Sequence, residues 1–121
     1  MSRAGNFPES FGYAKAGVKA CFGERNFRIH LICGLLALLL AALLDFSPGE
    51  FALVLLLCGV ILAAEMLNTA LEAVVDLVTE EYHPLAKKAK DIAAGAVLVL
   101  CGFAVLIGIV LYVPPVLALL F

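Results

Sequence analysis

Glu65, Asn68, Glu72 and Asp76 lie in the segment FALVLLLCGVILAAEMLNTALEAVVD, residues 51–76, with the last three standing three, seven and eleven residues after the first. At ~100° per residue of an α-helix, these spacings gather the four polar groups within an arc of roughly 80°. Thr69 falls on the same side, while Leu67, Leu71, Val74 and Val78 fall opposite. The run ahead of Glu65 is free of charge, so this is a helix that enters a bilayer. An ionisable group near the bilayer centre costs about 2.5–3.5 kcal/mol on insertion scales, and such groups mark functional sites.

Depth separates the chemistry available to these side chains. Counting about 20 residues inward from Glu50 brings the helix to the far boundary of the hydrocarbon near Ala70. Glu72 and Asp76 then lie at or beyond that interface, with Glu65 about 10 Å deeper. A carboxylate at the interface suits a hydrated divalent cation, because Mg2+ keeps several waters and takes only one or two protein carboxylates. A carboxylate held deeper, in a lower dielectric, is a better proton acceptor, at the depth where a lipid hydroxyl would lie. Two other readings use the same face. Intramembrane Glu and Asn can join helices in an oligomer through hydrogen bonds of about 1–2 kcal/mol, or line the path of a small ion or proton transport subunit.

The elements that position these residues follow from composition. Of 121 residues 64% are hydrophobic and only 15% charged, against about a quarter in soluble domains. The mean hydropathy is +1.11. A soluble domain of this size cannot bury so much apolar surface, so the chain is expected to be one integral-membrane domain spanning residues 1–121. The fold class expected is all-α: an amphipathic surface helix over about residues 7–27, then spans over about 29–45, 50–78 and 91–120. Asp45-Phe46-Ser47-Pro48-Gly49-Glu50 makes a tight hairpin between the first two spans. No cleavable signal peptide is expected, because the first 28 residues lack a continuous apolar core. The four cysteines stand singly without zinc spacing, and neither disulfides nor a metal is expected at them.

The eight basic residues, Arg3, Lys15, Lys19, Arg25, Arg28, Lys87, Lys88 and Lys90, all lie in the N-terminal segment and the second connection. By the positive-inside rule, the N-terminus and the 79–90 loop are cytoplasmic, and residues 45–50 and the C-terminus lie outside. Phe7, Phe11, Val18 and Phe22 form an apolar stripe of roughly 60° flanked by Lys15 and Lys19, as in a helix lying on a membrane surface. A helix persisting from Tyr13 to Glu24 would project both side chains from one face, opposite the phenylalanines. The second connection mixes acids, an aromatic, an imidazole and lysines. A lysine there could act as a point charge on a phosphate chain, although a basic collar that sets topology accounts for Lys87 and Lys88 equally. No GxxxxGK[ST] phosphate loop occurs, which excludes a P-loop kinase. A lone imidazole near the end of a span, His30, is read as a hydrogen-bonded interface residue without a catalytic role.

The string Glu65-Met-Leu-Asn68-Thr-Ala-Leu-Glu72-Ala-Val-Val-Asp76, with Glu81-Tyr82-His83 and Ala89-Lys90-Asp91 after it, resembles the small prokaryotic diacylglycerol kinase family, which includes the undecaprenol kinases of Gram-positive bacteria. The resemblance covers nearly the whole chain, with the motifs in matching order and spacing. It implies a multi-pass kinase of the bacterial plasma membrane that moves the γ-phosphate of Mg-ATP to a lipid hydroxyl. It also implies a homotrimer with shared active sites, and no nucleic-acid partner. By that resemblance Glu65 is the general base facing the lipid, and Asn68 and Asp76 shape and support the site. Glu24 and Glu72 hold the metal and through it the ATP phosphates. Tyr13, Glu81, Tyr82, His83, Lys90 and Asp91 contact the nucleotide. The segments Gly23-Glu24-Arg25-Asn26-Phe27-Arg28-Ile29-His30 and Tyr82-His83-Pro84-Leu85-Ala86-Lys87 are similar to the undecaprenol-kinase version, so undecaprenol is the expected lipid and diacylglycerol the alternative. Alignment of the N-terminal segment needs a one-residue gap between Gly17 and Glu24, so Glu24 transfers more directly than Tyr13.

Overall fold

A computed structural model describes residues 5–121 as four helices; Arg3, which entered the topology argument, lies outside them. Helix α1 covers Phe7–Cys21, α2 Arg25–Leu43, α3 Pro48–Val78 and α4 Pro84–Leu120. The last three are each long and apolar enough to cross a membrane. The first is shorter and amphipathic, with Asn6 Oδ1 accepting from the Glu9 N–H at 3.2 Å to cap it and Pro8 in its first turn.

The surface helix ends at Cys21, short of the expected residue 27, and it does not carry Tyr13 and Glu24 on one face. Glu24 is instead the extended residue (φ −82°, ψ 129°) from which α2 starts. Arg28 explains the corner: its Nη1 donates to the carbonyls of Phe22 at 2.9 Å and Gly23 at 3.1 Å, oxygens that a continuing helix would have used internally. The Phe22 and Phe27 rings meet edge to face across the bend, with centroids 5.4 Å apart.

The hairpin between α2 and α3 is closed by two caps in succession. Phe46 N–H donates to the Ala41 carbonyl at 3.1 Å and Asp45 N–H to that of Ala42 at 3.3 Å, the Schellman pattern. Asp45 takes the left-handed conformation this needs, with φ 53°. One residue later Ser47 and Glu50 form a reciprocal capping box: Ser47 N–H donates to Glu50 Oε2 at 2.8 Å and Glu50 N–H to Ser47 Oγ at 3.3 Å. At the same end Tyr112 donates its hydroxyl to the Ala37 carbonyl at 2.6 Å, and its ring packs on Phe46 with centroids 4.7 Å apart.

Helix α3 is the central element; it packs against both α2 and α4 and also touches α1. With 31 residues it is about 46 Å long, so it overshoots a hydrocarbon core of about 30 Å by several turns. The 37-residue α4 overshoots at the same end, and it continues as a helix through Pro114-Pro115. Each proline removes one donor from the ladder, a loss that membrane helices tolerate. The large apolar side chains face outward: Leu35, Leu36, Leu39, Leu55, Leu56, Leu98 and Val110 are all exposed, as lipid or a second subunit requires.

Gly34 sets how closely α2 and α3 approach. A Cβ there would sit 3.1 Å from Cys58 Sγ, which itself lies 3.9 Å from the Gly34 carbonyl. Gly34→Leu is therefore expected to push the helices apart and to destabilise the bundle by about 1–3 kcal/mol. The thermal midpoint in detergent micelles checks this, with Gly12→Leu on the open face of α1 as the control.

Candidate active site

Few described residues are buried, and two of them are polar: Glu65 at 3% exposure and Asn68 at 7%. Both sit on α3 where it runs between α2 and α4, facing a cavity of about 300 Å3 also lined by Asn26, His30, Val97 and Cys101. One turn further along, Asn68 Nδ2 donates to Glu72 Oε1 at 3.0 Å, a hydrogen bond to a charged acceptor that steers one carboxylate oxygen and leaves the other open. Asn68 Oδ1 is buried without a partner, an unmet acceptor that points to a donor supplied from outside the chain. Glu72 itself is exposed.

A second cavity, of about 360 Å3, opens where α3 ends and α4 begins. Asp76, Glu81, Tyr82, His83, Lys90 and Asp91 all line it, so six of the expected site residues converge in one place. The geometry has local causes. Lys90 Nζ donates to Asp76 Oδ1 at 2.5 Å and ties the two helix ends together. Thr79 Oγ1 accepts from Glu81 N–H at 3.2 Å, which turns the chain, and His83 Nδ1 accepts from Leu85 N–H at 3.2 Å to start α4. Pro84 follows at the first helical position. Lys87 pairs with Asp91 along α4. The imidazole of His83 thus already serves as a cap through Nδ1, which leaves Nε2 to face a ligand.

Two expected residues stand apart from both cavities. Tyr13 is exposed on α1, its hydroxyl donating to Glu9 Oε1 at 2.8 Å. Glu24 is exposed at the α1–α2 corner, and its carboxylate makes no cap to α2. Conversely, the sequence alone assigns His30 no catalytic role, yet its Nε2 lies 3.8 Å from Glu65 Oε2. The signal that marks it is the stripe Phe27, His30, Gly34, Ala37 and Ala41 at three- and four-residue spacing. Phe27 and Ala41 are buried on this stripe and the rest are half-buried, so His30 faces inward.

Among the described residues no three His, Cys, Asp or Glu side chains cluster as a metal cage. One oriented carboxylate with a free oxygen does fit a Mg2+ ion that arrives with phosphate and water as its other ligands.

Residues 12–112 match the family described as prokaryotic diacylglycerol kinase. The chain belongs to that family. Among its relatives, a diacylglycerol kinase of Synechocystis sp. is 47% identical over 119 residues, 97% of this chain and 68% of that one. The undecaprenol kinase of Bacillus subtilis is 40% identical over 109 residues, 89% of each chain. A diacylglycerol kinase of Pseudomonas aeruginosa is 45% identical over 86 residues, 70% of each. As a prokaryotic diacylglycerol kinase family member, the chain is a lipid kinase of the membrane, a phosphotransferase with an alcohol acceptor.

The Asp76–Lys90 tie generates a prediction. Both groups are substantially exposed, so the pair adds little to overall stability but fixes the local turn. Lys90→Met is expected to leave the thermal midpoint nearly unchanged while amides of residues 77–83 exchange several-fold faster. Hydrogen exchange read by mass spectrometry measures it, and high salt should reproduce part of the effect in the unaltered chain.

Proposed function

We propose that this enzyme transfers the γ-phosphate of ATP to the hydroxyl of undecaprenol at the cytoplasmic face of the bacterial plasma membrane. The single observation that carries the reading is the graded polar face of α3, with Glu65 sealed between helices, Glu72 oriented at the surface, and Asp76 tied to Lys90 at the lip of the second cavity. In this account Glu65 accepts the hydroxyl proton as the lipid oxygen bonds to the γ-phosphorus and ADP leaves. Asn68 holds Glu72, and Glu72 with Glu24 holds the divalent ion. Bound Mg2+ supplies neutralisation of the phosphate charge. The cavity at the α3–α4 junction takes the nucleotide: Lys90 lies against the phosphate chain, and Glu81, Tyr82, His83 and Asp91 bound its walls. Phosphoryl transfer asks for positioning and charge stabilisation rather than covalent chemistry, which a small chain can supply. The lysines beside this cavity support a cytoplasmic orientation, with the α2–α3 hairpin and the C-terminus outside.

A homotrimer with shared sites belongs to this reading. Tyr13 and Glu24 line neither cavity within one chain, which fits their delivery by a neighbouring subunit. The back of α3 exposes Leu67, Val74, Leu77 and Val78 at 56–86%, the last two near the projecting end where lipid cannot cover them, as a subunit interface would require.

The choice of lipid rests on the relative from Bacillus subtilis, matched over 89% of both chains, and on the imidazole of His30 beside the base. The higher identity to the Synechocystis diacylglycerol kinase favours diacylglycerol as the second reading. Radiolabelled γ-phosphate from ATP, offered with undecaprenol and diacylglycerol side by side in mixed micelles, should enter undecaprenol faster by an order of magnitude. The reverse preference would overturn the lipid, and label in neither would overturn the kinase. Glu72→Gln is expected to raise the Mg2+ concentration for half-maximal rate about tenfold or more, an effect the same assay reads in a Mg2+ titration.

A further inference from the structure

His30 stands where two cavities meet. On one side is the space it shares with Glu65 and Asn68; on the other an apolar groove of about 390 Å3 runs past Gly34, Ala37 and Gly108 toward Tyr112. Among the described residues only His30 and Cys101 line both. The ring lies between helices with its two nitrogens facing different partners. Nε2 is 3.8 Å from Glu65 Oε2, and Nδ1 is 4.0 Å from Cys101 Sγ. The titratable groups around it are therefore Glu65 from α3 and Cys101 from α4, with Cys33 on its own helix and Cys58 of α3 further along the groove. Among the described residues, His30 is the only basic side chain within ion-pair distance of Glu65.

A base as enclosed as Glu65 has a problem after each turnover, because its side chain is 4% exposed and the proton it has taken must leave. The His30 side chain faces the carboxylate, is 23% exposed and lines both cavities. We propose that His30 is a positioning residue that orients Glu65 and carries its proton away between turnovers; this rests on reading Glu65 as the base. Protonated Glu65 gives its proton to the bare Nε2 of a neutral imidazole whose Nδ1–H faces the Cys101 sulfur. The imidazolium then releases one proton to water, leaving a carboxylate and a neutral ring. The 3.8 Å gap is longer than a hydrogen bond, and closing it needs only a small shift of either side chain when substrate fills the site.

The test is steady-state kinetics on the full chain in mixed micelles, with chemical rescue. His30→Ala is expected to lower kcat about 10- to 100-fold with the KM for ATP unchanged. Added imidazole should restore much of kcat, and pyrazole, of the same shape but not basic at neutral pH, should not. His30→Gln, which fills the space and can donate to Glu65 without carrying a proton, should stay slow. The inference is overturned if His30→Ala keeps the wild-type kcat, if pyrazole rescues as well as imidazole, or if His30→Gln works at full rate. If His30→Ala fails to fold, His30→Gln decides alone: low kcat with unchanged KM for ATP supports the role, and full kcat refutes it. An unaltered chain that phosphorylates no lipid would instead sink the functional reading, and an active one indifferent to His30 sinks this inference only.

Discussion

A carboxylate and an amide sealed between apolar helices are the constraint around which the bundle is arranged. Glu65 and Asn68 cannot face lipid, since an unmet polar group in hydrocarbon costs several kcal/mol. Helix α3 therefore has to occupy the middle, with α2 on one side and α4 on the other. The close passage of α2 at Gly34 and the inward turn of His30 both follow from covering that face. Asn68 spends one amide hydrogen on Glu72 and leaves its oxygen unmet, so the face that α2 and α4 cover still holds a free acceptor.

Helix length then divides the labour. A span needs about 20 residues, and α3 and α4 have 31 and 37. The surplus of both emerges at one end, where the Asp76–Lys90 tie and the caps on Thr79 and His83 turn it into a cavity of polar side chains. Glu65 lies eleven residues from Asp76, about 16 Å along the helix, so one rigid rod links a buried carboxylate to a surface that can receive a soluble, charged molecule. A lipid kinase needs that arrangement, because one substrate comes from the bilayer and the other from water.

Much of this was legible in the sequence because a membrane chain is read mainly by length, charge and period. The polar face of α3 and the hairpin at Ser47-Pro48 follow from such signals, whereas the grouping of Glu81, Tyr82, His83 and Lys90 comes from the family resemblance. The α1–α2 corner was not. The bend at Phe22-Gly23 is fixed by Arg28 reaching back to two carbonyls, a contact that helical periodicity does not encode. Glu24 consequently sits at a helix start rather than on the face of Tyr13. The place of His30 was hidden for another reason. Its stripe on α2 consists of small and apolar residues that read as ordinary packing until α3 and α4 are set against them.

The central claim is that Glu65 is the group that takes the lipid proton. A single-turnover measurement on Glu65→Gln tests it most directly, with ATP affinity measured on the same sample by equilibrium binding. The amide keeps the size of the side chain and cannot accept the proton. ATP affinity is expected to stay within a few-fold of the unaltered enzyme while the rate of phospholipid formation falls at least about 100-fold. Phosphorylated lipid formed at near the normal rate would contradict the account.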